Sequence, residues 1–217
     1  MTDEVTGKAG FHDEYAENFE DVAANIFAPI YPVISQQIIN RCQIMSGTFI
    51  DVGSGPASLA IALSKLVDGK VYAMDFSEKM LAIAKKKIES SDLNANVTPI
   101  FGDIHDMPFD DCFADLVVSR GSLFFWQNVP QAFREIYRVL KPGGMAYIGG
   151  GFGTAELKSK ITQAMEKRDP AWSQCVEKRL NKTNLDSFKK ALHVAEIDHY
   201  RIIDDESGFW ICFNKVD

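Results

Sequence analysis

The amino-acid sequence predicts an α/β protein built on a doubly wound, mostly parallel sheet with helices on both faces and a C-terminal antiparallel hairpin. Three observations support this expectation. Between residues 46 and 151, short apolar runs typical of buried strands alternate with stretches of helical periodicity. The first of these runs leads directly into glycines, as in a tight turn from a strand to a helix. After residue 198, two further runs flank the polar tetrapeptide Asp205-Glu206-Ser207-Gly208, which indicates a hairpin.

The segment before the first strand is predicted to be helical. Apolar side chains recur every three or four residues from Phe11 to Ile26, a spacing that places them on one face of a helix. Pro29 and Pro32 are expected to end this helix, because proline cannot continue the hydrogen-bond ladder of a helix interior. Residues 33–44 are then expected to form a second helix.

The alternating region gives the remaining elements in order. The expected strands are residues 48–52, 70–74, 97–101, 114–119 and 145–149. The expected helices between them are residues 57–66, 77–88 and 129–140, and Ser77 is a suitable N-cap for the second of these. Beyond Gly153 we expect helices over residues 154–167, 171–180 and 185–197, followed by hairpin strands over residues 199–204 and 209–214.

Length and composition indicate one globular domain over residues 1–217. Of the 217 residues, 46% are hydrophobic and 24% are charged, and the net charge of −7 argues against nucleic acid as a partner. No apolar run approaches the roughly 18 residues that would span a membrane. The four cysteines lie far apart and form no CxxC pair, so we expect reduced thiols, no metal site and a cytoplasmic protein.

Acidic residues stand at the ends of three successive predicted strands. Asp51 precedes the glycine-rich turn Gly53-Ser54-Gly55, Asp75 ends the second strand, and Asp103 follows the third. In doubly wound sheets these positions meet at one edge, where ligands bind. Asp75 is placed to accept hydrogen bonds from the two hydroxyls of a ribose, and Asp103 from the exocyclic amine of adenine. Any one of these residues could be only a helix cap or a turn residue, but together they predict an adenosine site.

These segments together resemble the class I S-adenosylmethionine-dependent methyltransferases, in particular the small-molecule group typified by ubiquinone and menaquinone biosynthesis. The matching segments are Phe49-Ile50-Asp51-Val52-Gly53-Ser54-Gly55, Val71-Tyr72-Ala73-Met74-Asp75-Phe76-Ser77, Gly102-Asp103-Ile104-His105-Asp106-Met107-Pro108-Phe109, Phe113-Ala114-Asp115-Leu116-Val117-Val118-Ser119 and Leu140-Lys141-Pro142-Gly143-Gly144. The resemblance covers residues 11–151 well. One position differs, because Ala57 stands where the family usually has a third glycine.

The resemblance implies S-adenosyl-L-methionine as the cofactor and a seven-stranded Rossmann-like sheet. It divides the chain into an N-terminal helical lid (11–45), a cofactor-binding core (46–151) and a segment of helices and hairpin (152–217). The implied cofactor-binding residues are Asp51, Gly53, Ser54, Gly55, Asp75, Phe76, Met80, Asp103, Ile104 and Ser119. Phe19 stands where the family often has tyrosine, so Tyr15 could supply a hydroxyl contact instead. The lid segment could equally be a helix that only packs on the core.

The acceptor of the methyl group is expected to be a small molecule. The segment Ser119-Arg120-Gly121-Ser122 lacks the Asn/Asp-Pro-Pro-aromatic motif that the family uses to methylate base or amide nitrogens. Candidate residues of an acceptor pocket are Arg120, Tyr15, His105 and Trp126. Arg120 could bind an anionic group or pair with a nearby aspartate. His105 could act as a base or lie in a loop, and Trp126 could line the pocket or belong to the core.

Two other functions remain open at this point. A nicotinamide-dependent dehydrogenase would use a similar sheet, but its fingerprint wants a third glycine where Ser58 stands. A non-catalytic module that binds S-adenosylmethionine and regulates a partner would carry the same binding residues. The basic run Lys85-Lys86-Lys87 is expected to be a solvated helix face rather than a nucleic-acid patch.

Overall fold

A computed structural model of the chain describes residues 16–91, 93, 96–179 and 182–216. The strands are β1 (Ser46–Val52), β2 (Asp68–Asp75), β3 (Val97–Phe101), β4 (Ala114–Arg120), β5 (Leu140–Gly150), β6 (Tyr200–Asp205) and β7 (Gly208–Asn214). The helices are α1 (Ala16–Asn25), α2 (Ile30–Cys42), α3 (Ser58–Ser64), α4 (Glu78–Ser90), α5 (Val129–Val139), α6 (Ala155–Arg168), α7 (Trp172–Arg179) and α8 (Lys182–Val194). A 3₁₀ turn covers Leu123–Phe125.

The seven strands form one sheet in the order β3-β2-β1-β4-β5-β7-β6. The first five strands are parallel, and β7 pairs antiparallel with both β5 and β6. The strand order reverses between β1 and β4, which is the point where open α/β sheets bind ligands. We call the edge at which β1–β4 end the carboxyl edge. The sheet predicted from the sequence, with its C-terminal hairpin, is confirmed.

Two apolar layers cover the faces of the sheet. One lies under α2, α3 and α4 and includes Ile34, Phe49 and Trp210. The other lies under α5 and α8 and includes Phe133 and Phe213. Because side chains alternate along a strand, the buried strand β7 contributes to both layers.

Two local expectations are wrong. Pro32 does not end a helix, because α2 begins at Ile30 and contains Pro32 in its first turn, where a missing N–H costs nothing. The sequence Lys141-Pro142-Gly143-Gly144 is not simply a loop before the strand. It belongs to β5, which begins at Leu140 and shifts its register against β4 between Ala114 and Leu116.

The structure also bears on a membrane span. In the described part of the chain no single helix is long and apolar enough to cross a bilayer. The pair α1 and α2 meets the length and composition criteria together, but it is bent by 77°.

Candidate functional site

The turn after β1 is a glycine loop, residues 53–57, in which Gly53, Gly55 and Ala57 all have positive φ angles of 63°, 53° and 60°. A Cβ atom on Gly53 would lie 2.4 Å from Cβ of Ser122, so a side chain there would clash. A Cβ atom on Gly55 would lie 3.3 Å from the Phe19 ring. The loop therefore leads into α3 with its glycines closely packed, Gly53 against Ser122 and Gly55 under Phe19 of α1.

Asp75, at the end of β2, connects that strand to the glycine loop. The Gly55 N–H donates to Oδ2 at 2.8 Å, and the Ser77 N–H donates to Oδ1 at 2.9 Å. Asp75 therefore ties the end of β2 to the glycine loop and to the N-cap of α4.

Asp51, the penultimate residue of β1, is a buried carboxyl group without an ion-pair partner among the described residues. Only 1% of its surface is exposed, and its Oδ2 accepts the Ala60 N–H at 3.0 Å. Burial raises the pKa of Asp51 to about 8, opposed by the Ala60 hydrogen bond and reinforced by the charge of Asp75. A cation placed beside Asp51 would favour its ionised form.

Asp103, after β3, is held by His105. The His105 Nδ1 lies 2.7 Å from Oδ1 of Asp103, and the Asn128 N–H donates to Nε2 at 3.3 Å. A backbone N–H can only donate, so Nε2 accepts that hydrogen bond and Nδ1 is the nitrogen that contacts Asp103. Both ring nitrogens are therefore engaged. This geometry favours His105 as the residue that orients Asp103, whose side chain is 63% exposed.

The other residues implied near adenine and ribose differ in exposure. The Phe76 side chain is 48% exposed, which is unusual for an aromatic ring, while Met80 and Ile104 are buried. Phe76 thus offers a ring at the carboxyl edge that a flat ligand could cover.

A chain of hydroxyls connects β4 to the glycine loop. The Ser122 hydroxyl donates to the Val52 carbonyl at 3.1 Å, and it lies 2.6 Å from Ser119 Oγ. The Trp126 Nε1–H donates to Ser122 Oγ at 3.1 Å. In the loop itself, the buried Ser54 Oγ has no hydrogen-bond partner among the described residues.

Arg120, the last residue of β4, lies among aromatic rings. Its Nε and Nη2 both donate to the Gly151 carbonyl, at 3.2 and 3.1 Å. Its Cζ lies 4.7 Å from the ring centre of Phe27, 5.6 Å from that of Phe152 and 6.0 Å from that of Tyr31. We call these three rings the aromatic cage. Burial lowers the pKa of Arg120, and no carboxylate in the described ranges pairs with it.

A partly buried polar chain that joins α1, α2, α3 and α4 was not expected from the sequence. Lys87 donates to Ser58 Oγ at 2.9 Å and pairs with Glu20 at 3.4 Å, and the Ser58 hydroxyl hydrogen-bonds Tyr31. Burial raises the pKa of Tyr31. Lys85 and Lys86 are exposed as expected, but the expectation of a solvated face is wrong for Lys87. Nothing in the sequence pattern distinguishes Lys87 from its two neighbours.

The structure brings some of the predicted site residues together and separates others. Asp51, the glycine loop, Asp75 and Asp103 share the carboxyl edge. Arg120 and Trp126 lie on opposite faces, because Arg120 contacts rings of one apolar layer and Trp126 packs 6.3 Å from Phe133 in the other. Tyr15 lies outside the described residues. Within the described ranges, no group of three or more His, Cys, Asp or Glu side chains is arranged to hold a metal ion.

A separate cavity of about 400 Å³ lies near the amino ends of the parallel strands. It is lined by residues such as Arg41, Cys42 and Arg201 and is remote from the carboxyl edge. Arg41 is already engaged by Tyr147 and Asp205, at 2.5 and 3.1 Å. This cavity is therefore not part of the candidate site.

Known proteins are similar to this chain in sequence and in fold. Residues 50–148 match the profile of a methyltransferase domain. A Methanococcus maripaludis protein, described as a candidate S-adenosyl-L-methionine-dependent methyltransferase, is 45% identical and superposes with a TM-score of 0.93. That match covers 97% of this chain and 96% of the other.

Two further comparisons extend this picture. The demethylmenaquinone methyltransferase of Staphylococcus carnosus is 38% identical over 122 residues, 54% of this chain and 48% of the relative. This chain spans about half the length of the curated relatives it matches. A methyltransferase from Aquifex aeolicus that depends on S-adenosylmethionine shares the fold, with a TM-score of 0.62 at 19% identity over 94% of this chain and 97% of that one.

Proposed function

The chain belongs to the class I S-adenosylmethionine-dependent methyltransferases, and we propose that it transfers the methyl group of S-adenosylmethionine to a small-molecule acceptor. The observation that carries this proposal is the convergence of Asp51, the glycine loop, Asp75 and Asp103 on the carboxyl edge. An adenosine linked to a sulfonium needs donors and acceptors of this kind along one edge. We further propose that the protein works in the cytoplasm and does not bind nucleic acid.

The residues present fit S-adenosylmethionine. The glycine loop takes the positive φ angles of a tight turn into a helix, and its buried Ser54 hydroxyl has no hydrogen-bond partner among the described residues. Asp75 can accept the ribose hydroxyls, and Asp103 with the Ile104 backbone can read the adenine edge. Phe76 is placed to cover the adenine ring, and Met80 and Ser119 complete the set of cofactor-binding residues that we propose.

Methyl transfer from a sulfonium requires correct positioning of donor and acceptor rather than a strong acid or base. The bound cofactor supplies a methyl group on a sulfonium, which is already activated for in-line displacement. The protein must then hold donor and acceptor collinear and exclude water. Phe19 over Gly55 covers the loop, and the ionised form of Asp51 would favour the sulfonium. We propose no catalytic base, because both nitrogens of His105 are engaged.

The two alternative functions, a dehydrogenase and a non-catalytic binding module, predict different results in binding and turnover assays. A nicotinamide-dependent dehydrogenase would bind NADH, and here Ser58, which would be the third glycine, is instead part of the Lys87–Ser58–Tyr31 chain. A non-catalytic module would bind S-adenosylhomocysteine without turnover. Release of S-adenosylhomocysteine from S-adenosylmethionine in the presence of a metabolite pool separates an enzyme from such a module.

The first test is binding of S-adenosylhomocysteine by calorimetry. We expect one site per chain, and we expect Asp75→Ala to weaken binding by about 1 to 3 kcal/mol, the usual loss for a charged hydrogen-bond partner. Asp68→Ala is the matched control, because Asp68 is an exposed aspartate at the opposite end of the same strand. Unchanged affinity in a folded Asp75→Ala variant would contradict the ribose assignment.

A further inference from the structure

Arg120 is a partly buried cation with no anionic partner in the part of the chain that the structure describes. Cations that are taken out of water in proteins usually pair with a carboxylate, because desolvation strongly disfavours a lone charge. Here the described residues give Arg120 one backbone carbonyl, Gly151, and the three rings of the aromatic cage. The rings compensate part of the charge through cation–π contacts but accept no hydrogen bonds in the plane of the guanidinium.

The guanidinium keeps one edge available. A guanidinium has five N–H donors, and the Gly151 carbonyl uses Nε–H and one N–H of Nη2. The two N–H groups of Nη1 and the second one of Nη2 have no acceptor among the described residues. Parallel N–H groups of Nη1 and Nη2 are the pair that binds a carboxylate through both of its oxygens.

The contacts of Arg120 place its guanidinium on the face of the sheet that α2 and α3 cover. Arg120 ends β4, the strand that pairs with β1 on the other side of the switch point from β2. Tyr31 of the aromatic cage hydrogen-bonds Ser58, the first residue of α3, and lies close enough to Asp51 for their charges to interact. Tyr31 therefore links the Arg120 guanidinium to Ser58, the residue that follows the glycine loop.

We propose that Arg120 is the anion-binding residue of the acceptor site and that the acceptor is a small molecule carrying a carboxylate. The inference rests on the proposed function and adds the class of substrate. A carboxylate fits better than a phosphate, because a single guanidinium balances one negative charge. No second cation acts on Arg120 in the described part of the chain, and the net charge of −7 disfavours a dianion. The aromatic cage provides apolar contact for the hydrocarbon next to the carboxylate.

The test measures binding of carboxylates to the complex with S-adenosylhomocysteine. The probes are acetate, butyrate, benzoate and indole-3-acetate, each compared with its uncharged amide by calorimetry or ligand-observed NMR. We expect at least one carboxylate to bind 10-fold or more tighter than its amide. This preference should disappear in Arg120→Ala and in Arg120→Met, which keeps aliphatic bulk under the rings. It should persist in the control Arg201→Ala, which removes an exposed arginine of β6.

Several outcomes would overturn the proposal. One is that no carboxylate of the panel binds better than its amide, and another is that the preference survives without Arg120. Tighter binding of phenyl phosphate than of benzoate would indicate that the acceptor carries a phosphate rather than a carboxylate. A loss of affinity for S-adenosylhomocysteine but not for 5′-methylthioadenosine, which lacks the amino-acid part, would assign Arg120 to the cofactor instead. If S-adenosylhomocysteine fails to bind the unmodified protein, the proposed function itself fails, which is a separate result.

Discussion

At the scale of single residues, the candidate site contains two ionisable groups, the buried Asp51 and the partly buried Arg120, that have no ion-pair partner among the described residues. Asp51 has a backbone N–H and Arg120 a backbone carbonyl in place of an opposite charge. A sulfonium beside Asp51 and a carboxylate beside Arg120 would each supply the missing charge. The arrangement thus matches a cationic donor and an anionic acceptor that meet at the switch point.

The raised pKa of Asp51 predicts a specific dependence of stability on pH. The pKa is about 8 in the folded chain and 3.8 in the unfolded chain, so between these values the folded state holds a proton that the unfolded state has released. The free energy of unfolding therefore falls as pH rises from about 4 to 8, and it levels off above that range. Asp51→Asn removes this contribution and keeps an oxygen for the Ala60 N–H.

We therefore expect the stability of Asp51→Asn relative to the unmodified protein to increase steadily with pH up to about 8. Urea unfolding of the cofactor-free protein at pH 5, 6, 7 and 8 measures it. Asp115→Asn is a control, because it makes the same change at an aspartate of β4 that has an ion-pair partner, Lys141 at 2.7 Å, whereas Asp51 has none among the described residues. Parallel pH profiles for Asp51→Asn and the unmodified protein would show that Asp51 is ionised in the fold.

At the scale of elements, α1 buries little of its own surface. Only Ala16, Val22 and Ala23 of its ten residues are buried. Glu20 pairs with Lys87 of α4, while Asn18 and Asp21 both bind Arg168 of α6. Half-exposed ion pairs contribute little to stability, about 0 to 1 kcal/mol each. Such a helix can open and close over the glycine loop at low cost, as a lid requires.

We predict that hydrogen exchange in residues 16–28 slows when S-adenosylhomocysteine binds, because Phe19 lies over Gly55 of the loop. Arg168→Ala should speed exchange of α1 in the cofactor-free protein, since it removes both contacts between α6 and α1. Lys160→Ala is the control, because it removes an ion pair that stays within α6. Equal protection of α1 with and without ligand would leave it a helix that only packs on the core.

The strands and helices also show which parts of the fold and of the site can be predicted from the sequence and which cannot. The sheet was predictable because buried strands leave apolar runs, and the acidic residues follow from the rule that strand ends share an edge. The start of β5 was not predictable from the sequence. Pro142 and the two glycines after it are typical of loops, and only pairing with β4 makes this segment a strand. The aromatic cage joins Phe27 and Phe152 to Arg120, residues distant in sequence, and no local pattern encodes such a contact.

At the scale of the whole molecule, the C-terminal hairpin joins the two apolar layers. Trp210 and Cys212 of β7 lie in the layer under α2 and α3, whereas Phe209, Ile211 and Phe213 lie in the layer under α5 and α8. The hairpin also pairs along β5 over six residues, from Met145 to Gly150. Neither layer is complete without β7, so the N-terminal, central and C-terminal segments should fold as one domain.

We predict a single cooperative unfolding transition for the whole chain. In a Trp126→Phe, Trp172→Phe variant, fluorescence reports Trp210 alone, which is 1% exposed between the sheet and one apolar layer. Its urea transition should coincide with that of far-UV circular dichroism, which reports all helices. S-adenosylhomocysteine at 100 times its dissociation constant should raise the free energy of unfolding by about 2.7 kcal/mol by both probes, because a ligand of the folded state stabilises whatever unfolds with its site. The single domain would be contradicted if the two probes gave separate urea midpoints, or if the ligand shifted the midpoint seen by circular dichroism but not the one seen by Trp210 fluorescence. Either result would mean that the hairpin unfolds separately from the cofactor-binding core.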